Sequence, residues 1–197
     1  MYILWILINL TKYKSALDLA YQFHRKQKRK GTSIPYITHL MSVSALVMEN
    51  GGSTDEAIAG LLHDAVEDQG GEKTLKLIRS KFGSKVASIV KQNSDADVIP
   101  KPPWFDRKKQ YVAAMKTKTQ SALLVSLCDK LHNATCIIED HRAIGRKVWG
   151  RFNATPKQIG WYYQELSKSF SKYLKGHAAL NKRYEAAVKE LIKRTKR

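Results

Sequence analysis

Leu61-Leu62-His63-Asp64-Ala65-Val66-Glu67-Asp68 sets four ionisable side chains within six positions, directly behind an apolar helical run. If that helix continues through the stretch, His63 and Glu67 are one turn apart on a shared face, and so are Asp64 and Asp68. The segment then offers an adjacent nitrogen and oxygen donor, followed by a carboxylate pair. A divalent ion with a water-activating base beside it needs that set of groups. A lone His-Asp dipeptide arises often by chance, and a solvated helix end would look the same. The partners elsewhere in the chain decide between the two.

Upstream, Ser53-Thr54-Asp55-Glu56 is a capping box that starts the helix carrying Ala57, Ile58, Leu61 and Leu62. Before it, apolar periodicity predicts helices over Lys12–Lys28 and about Tyr36–Glu49, the second opened by Pro35 and closed by Asn50-Gly51-Gly52. Downstream, Gly70-Gly71 stops the helix, and short helices are expected at about Glu72–Phe82 and Ser84–Lys91. Asn93–Pro103 reads as a loop, and Trp104–Lys116 as a helix. Ser121–Asp140 is a long helix, apolar enough at Ala122–Cys128 to be central, and His141–Asn153 is expected to be irregular. Thr155-Pro156-Lys157-Gln158 caps a helix to about Tyr173, and Gly176 separates it from a last helix. No alternating strand pattern appears, so the fold class is all-α.

The chain carries 35 Lys and Arg against 17 Asp and Glu, a formal net charge of +18. That balance suits a polyanionic partner: a nucleic acid, an anionic membrane or a multiply phosphorylated small molecule. The basic residues concentrate in Arg25–Lys30 and in the tail from Lys172, where nine Lys and Arg face two Glu. Cys128 and Cys136 lie eight apart in one helix, about 12 Å, too far for a disulfide. They read as buried thiols of a reducing, cytoplasmic compartment. Met1–Leu10 is apolar but too short to span a membrane and lacks the marks of a signal peptide, so a packed turn or strand is expected there.

Three groups stand ready to join His63 and Asp64. His39 opens the preceding helix, and Asp129, with His132 and Asn133 on its face, sits in the apolar central helix. A buried carboxylate is paired or metal-bound, so Asp129 meets either a Lys or Arg or an ion. His132 reads as a hydrogen-bonded core histidine, and His24, His141 and His177 as structural or surface residues. Two imidazoles and two carboxylates, with water completing the shell, suit octahedral Mn²⁺ or Fe²⁺. Glu67 and Asp68 lie where they could take or position the water's proton.

Four blocks of the chain resemble the hydrolase domain of the RelA/SpoT alarmone enzymes, within the HD phosphohydrolase superfamily. They are His24…Gln27-Lys28-Arg29-Lys30, Pro35-Tyr36-Ile37-Thr38-His39, the His63-Asp64 stretch, and Asp129-Lys130-Leu131-His132-Asn133, with Phe82-Gly83-Ser84-Lys85-Val86 in addition. The resemblance covers Ala16 to Ile138, and the order and spacing of the blocks make it specific. It implies a single-domain helical bundle of eight to nine helices. It implies Mn²⁺ held by His39, His63, Asp64 and Asp129, and Glu67 and Asp68 serving the nucleophilic water. The implied reaction removes the 3′-pyrophosphate of guanosine tetra- and pentaphosphate. By the same resemblance Arg29 and Lys30 lie against base and phosphates, and Asn133 against the nucleoside. Val148–Asn153 and Trp161-Tyr162-Tyr163 resemble a bacterial branch of stand-alone members, with Tyr162 as a substrate contact if it is not core packing.

On this reading residues 1–10 are an apolar extension, 11–175 the HD-type domain, and 176–197 a basic C-terminal helix or tail. Two departures fall where the base is recognised: a loop Lys30–Pro35 one residue longer than the family form, and Ala134-Thr135-Cys136 in place of a Met-Arg-Thr run. Guanosine and adenosine alarmones therefore both stay open. Lys101–Lys108 is expected as a mobile flap carrying Arg107 and Lys108 towards phosphates, or simply as a helix start. The nucleotide is the expected partner, with a toxin-type alarmone synthetase as its functional counterpart and no membrane. The alternatives are a nucleotidase using the same site, and a basic module binding nucleic acid or a toxin; nucleic acid is not expected as the main partner because no recognisable motif for it is present.

Overall fold

The computed structural model describes residues 7–94 and 102–196. Ten α-helices are formed among them, in the order α1 (Leu10–His24), α2 (Ile37–Glu49), α3 (Thr54–Leu62), α4 (Ala65–Asp68), α5 (Gly71–Phe82), α6 (Ser84–Asn93), α7 (Trp104–Ala114), α8 (Gln120–Ile144), α9 (Pro156–Tyr173) and α10 (Ala178–Thr195). Tight 3₁₀ turns follow α7 at Met115–Thr117 and α8 at Gly145–Arg151. No strand occurs among the described residues; an isolated antiparallel bridge joins Lys28 and Pro35. No described helix is long and apolar enough to cross a membrane.

The helix starts follow from their caps. The side chain of Asn9 accepts from Lys12 N to open α1. The capping boxes Ser53/Glu56 and Thr155/Gln158 are both closed reciprocally, the second with proline in its first turn. Each satisfies backbone donors that have no partner within the helix.

α8 is the axis. Every residue from Ala122 to Asp129 is buried, because α2, α3 and α6 pack on it from one side and α9 and α10 from another. α2 and α3 approach closely: a Cβ on Gly60 would come within 3.1 Å of the Ser44 backbone. Ser44 Oγ donates to the Ala57 carbonyl at 2.7 Å and fixes that crossing. α10 buries Leu180, Tyr184, Val188 and Leu191, with Tyr184 meeting Phe170 of α9 edge to face at 5.4 Å.

Three expectations change. The helix expected to run through His63 and Asp64 stops at Leu62, and α4 is a separate single turn. At the break the Gly60 carbonyl accepts from His63 Nδ1 at 2.8 Å, on a side chain that the surrounding helices bury. The stretch expected to be irregular from His141 stays helical to Ile144, since nothing breaks it before Gly145, whose positive φ closes α8. At the N-terminus the expected packed turn lies mostly outside the described residues, and Leu7 and Leu10 are exposed rather than packed. Most of the Asn93–Pro103 loop likewise lies outside the described residues, as does Lys101 of the expected flap, while Trp104–Lys108 form the first turns of α7.

Removing the aromatic plug between α9 and α10 by Phe170→Ala is expected to cost about 3–5 kcal/mol. Removing the cap by Ser53→Ala is expected to cost about 1 kcal/mol. Urea denaturation of each variant against the wild type measures both.

Candidate metal centre and active site

Four side chains from three elements converge where α2, α3 and α8 meet. His39 comes from the first turn of α2, His63 and Asp64 from the break after α3, and Asp129 from the buried middle of α8. His39 Nε2 is 3.2 Å from Asp129 Oδ1 and 3.7 Å from Asp64 Oδ2. His63 Nε2 is 2.9 Å from Asp64 Oδ2 and 3.6 Å from Asp129 Oδ1. The ligand atoms of His39, His63 and Asp129 all lie within 4.8 Å of one another. Both Nε2 atoms are buried, and neither is aligned for a hydrogen bond. Ligands held about 2.1 Å from one ion stand about 3.0–3.4 Å apart. The ligand atoms of His39, His63 and Asp129 thus face a common point and fit a single divalent ion, with Asp64 Oδ2 beside them at 2.9 Å from His63 Nε2.

The two imidazoles are held from behind, and the two carboxylates are also bonded at the oxygens that face the site. His63 Nδ1 donates to the Gly60 carbonyl, which leaves Nε2 to the site. His39 Nδ1 faces His132 Nδ1 at 2.8 Å. Burial, then His39 and Arg29, push the pKa of His132 down to about 4, so its ring is neutral and can accept that proton. Tyr36 Oη donates to Asp64 Oδ2 at 2.7 Å. Asp129 divides its oxygens: Oδ2 meets Lys130 Nζ at 2.6 Å, and Oδ1 accepts from Asn133 Nδ2 at 2.5 Å and faces the imidazoles. The two sequence readings of Asp129, ion pair and metal-facing carboxylate, therefore describe one side chain. Such outer contacts fix ring tautomers and orient the groups that face an ion.

The electrostatics point the same way. Burial disfavours the charged form of every group here. It prevails at His39, whose pKa falls below the usual value. At His63 the Asp64 and Asp129 carboxylates override burial and hold the pKa well above the usual value. Burial also opposes ionisation of the two acids, yet His63 holds Asp64 below the usual carboxylate range, and Lys130 with His63 holds Asp129 there. A centre that retains one buried and one half-buried carboxylate and draws a proton onto an imidazole is one that attracts a cation.

A cavity of about 180 Å³ opens on this cluster. Glu67 and Asp68 of α4 line it beside Asp64 and Asp129, and Arg29, Lys108 and Lys130 bring positive charge. Arg29 donates to Asn133 Oδ1 at 2.7 Å, with its guanidinium 5.7 Å from the Tyr36 ring centre. Lys108 stands over the rings of Tyr162 and Tyr111 at 5.2 and 5.9 Å, and Arg107 Nη1 is 3.9 Å from Glu67 Oε1. Lys30 and Tyr162 are not among the described lining residues. Lys30 reaches Asn153 Oδ1 at 3.2 Å at the surface, and Tyr162 is buried edge-on to Trp104, behind Lys108. Sequence reasoning missed Tyr36 and Tyr111 as site residues, whereas Lys108 lines the cavity as one of the two cations expected to meet phosphates. Tyr36 alone carried a signal, one turn ahead of His39.

A family profile described as HD domain matches residues 16–154. The chain is 37% identical over 121 residues to the guanosine-3′,5′-bis(diphosphate) 3′-pyrophosphohydrolase MESH1 of Xenopus tropicalis, a match spanning 60% of this chain and 65% of that protein. It is 32% identical over 182 residues to the Danio rerio protein of the same name, covering 89% of both. Among solved structures it is similar to one described as a metazoan ortholog of SpoT that hydrolyzes ppGpp, with a TM-score of 0.72 at 23% identity over 91% of this chain and 94% of that one. It is also similar to a Listeria monocytogenes protein, with a TM-score of 0.69 at 27% identity over 79% and 99% of the two chains. With the profile running from α1 to the end of the turn after α8, and a relative aligned along nearly its whole length, the chain belongs to the HD-domain hydrolase family, on the stand-alone branch of the RelA/SpoT alarmone enzymes.

Proposed function

We propose that this protein hydrolyses the 3′-pyrophosphate of guanosine tetra- or pentaphosphate, or of the adenosine analogue, to a nucleoside 5′-di- or triphosphate and pyrophosphate. The observation that carries the reading is the meeting of His39, His63, Asp64 and Asp129 beside Glu67 and Asp68, in a chain similar to proteins named for that reaction. His39, His63, Asp64 and Asp129 hold the ion. An N₂O₂ donor set completed by water favours Mn²⁺, with Fe²⁺ as the other fit. When bound, such an ion withdraws charge from a phosphoryl oxygen and makes a nearby water more acidic.

This chain's own residues do the rest. Glu67 takes the proton of the attacking water, and Asp68 orients that water at the cavity rim. As the water oxygen bonds to the phosphorus on the 3′ oxygen, that P–O bond breaks, and the 3′ oxygen leaves and is protonated. Arg29 and Asn133, already bonded to each other, present a flat polar wall to the base and ribose, while Lys30 bonds Asn153 at the surface and Tyr162 lies under Lys108. Lys108 and Lys130 offset the charge of the departing pyrophosphate. The unpaired thiols of Cys128 and Cys136 fit a reducing cytoplasm, where an alarmone synthetase would supply the substrate. A second reading, a nucleotidase with the same site, is favoured only by the Ala134-Thr135-Cys136 departure next to Asn133.

Purified protein reloaded with Mn²⁺ is expected to release pyrophosphate from ppGpp or its adenosine analogue and to leave 5′-mononucleotides intact; the opposite preference selects the nucleotidase. Glu67→Ala is expected to lower kcat by about 10²–10⁴-fold with one ion still bound per chain. The pH dependence of ion binding follows from His63. Its pKa in the ion-free site lies above the ordinary value of about 6.5, and an ion needs the neutral ring. Affinity should therefore weaken as pH falls below that raised pKa, with about one proton released per ion at neutral pH. Calorimetry in two buffers of different ionisation enthalpy measures the release.

A further inference from the structure

Gln27 lies just past the end of α1, and its backbone is pinned on both sides. Its N–H donates to the His24 carbonyl at 2.9 Å, and its carbonyl accepts from Tyr36 N at 2.9 Å. The side chain is held as firmly. Gln27 Oε1 faces His24 Nδ1 at 2.6 Å and accepts from Gln69 Nε2 at 3.1 Å. With its oxygen engaged by two donors, the amide can present only its nitrogen in the other direction. There Nε2 donates to Asp68 Oδ2 at 2.9 Å. The opposite orientation would set an NH₂ against the NH₂ of Gln69 and a carbonyl against a carboxylate, so the network fixes the amide. It also fixes the proton of His24 on Nδ1, because Gln27 Oε1 can only accept.

His24 is buried and has a second task. Its ring stacks on Tyr36 with centroids 5.3 Å apart, and Tyr36 donates to Asp64. One histidine in the last turn of α1 thus braces two arms, Tyr36 to Asp64 and Gln27 to Asp68, that reach the two carboxylates at either end of the single turn α4.

Asp68 needs such a brace. It is exposed, and it ends a helix of a single turn, which has little stability of its own. It also forms the partition between two cavities: the site itself and a basin of about 530 Å³ on the outer side, where Arg25 and Lys26 stand. Arg25 and Lys26 line that basin together with Asp68, so the contact from Gln27 bears on which way the carboxylate faces. Gln27 sits on the basin side and ties the carboxylate from there.

We infer that Gln27 is a positioning residue for Asp68, braced by His24, and that the His24–Gln27–Asp68 relay sets the turnover of the site rather than its hold on ion or nucleotide. The inference rests on the proposed role of Asp68 at the water. Gln27→Met keeps the length of the side chain and removes the donor. It is expected to lower kcat by about 10–100-fold while KM and the ion stoichiometry stay at wild-type values. His24→Leu should show the same loss, whereas His24→Asn, whose amide nitrogen can stand where Nδ1 stands, should recover most of it. Wild-type kcat in Gln27→Met, or a rise in KM that accounts for the whole loss, overturns the inference.

A second measurement needs no turnover. In ¹⁵N spectra of the intact protein the Gln27 side-chain amide resonances are expected to shift on Asp68→Ala, and unmoved resonances overturn the relay. Wild-type protein that hydrolyses no alarmone refutes the reading of function instead, and the amide resonances then decide the relay by themselves.

Discussion

Two carboxylates and two imidazoles held 2.9–3.7 Å apart at an apolar helix crossing form the constraint around which the rest of this structure is arranged. Asp129 alone would be prohibitive in the buried half of α8, since an ionised group without partners is not tolerated there. It is tolerated because Lys130 and Asn133 on the same helix and His39 and His63 from two others meet it. Those contacts require α2 and α3 to lie close together, and the absence of a side chain at Gly60 permits it. The spacing of the two helices in turn sets the His39 and His63 rings 5.2 Å apart, edge to face. Packing and chemistry are one problem at this crossing: an intruding Cβ at position 60 would move a ligand.

The break after Leu62 follows from the same constraint. A continuous helix would keep Gly60 O for the backbone and leave His63 Nδ1 without its acceptor. The chain instead gives that carbonyl to the imidazole and restarts as α4, which faces Glu67 and Asp68 to the cavity. Local sequence does not reveal this outcome, because Leu61 to Asp68 has good helical periodicity throughout. What tips it is a hydrogen bond whose value depends on His63 being buried by α2 and α8.

That distinction separates what could be read from the chain from what could not. Helix ends carried by caps and glycines, such as Ser53, Thr155 and Gly83, were legible because a cap is satisfied within three residues of itself. The far end of α8 was misplaced because His141 and Arg142 look polar and loop-like, while nothing in them stops a helix before Gly145. The set of side chains that meet at the centre was legible for a different reason: the four blocks stand in a recognisable order, although 90 residues separate His39 from Asp129. The groups that hold those side chains from behind were not. Tyr36 and Gln27 act through contacts 28 and 41 positions away, and neither periodicity nor charge marks a residue that serves another one across such a gap, whereas His132, on the face of Asp129, already read as a hydrogen-bonded histidine. The exception is Asp129, whose placement in an apolar run already demanded a partner.

The charge of the cavity bears on what can enter it. Among the described residues its lining holds four carboxylates, Asp64, Glu67, Asp68 and Asp129, against three cations, Arg29, Lys108 and Lys130. With the imidazolium that His63 forms beside Asp64 when no ion is bound, these groups only balance, although the protein as a whole stands at +18. The overall charge can raise the rate of encounter with an anion, but at contact the nearest groups dominate, because interactions beyond about 8–10 Å are screened. A divalent cation that takes the place of the His63 proton turns the balance of these groups from neutral to one positive. The donor chemistry and the charge of the lining, two separate properties of the site, therefore lead to the same requirement: a phosphorylated substrate and a bound cation belong together here.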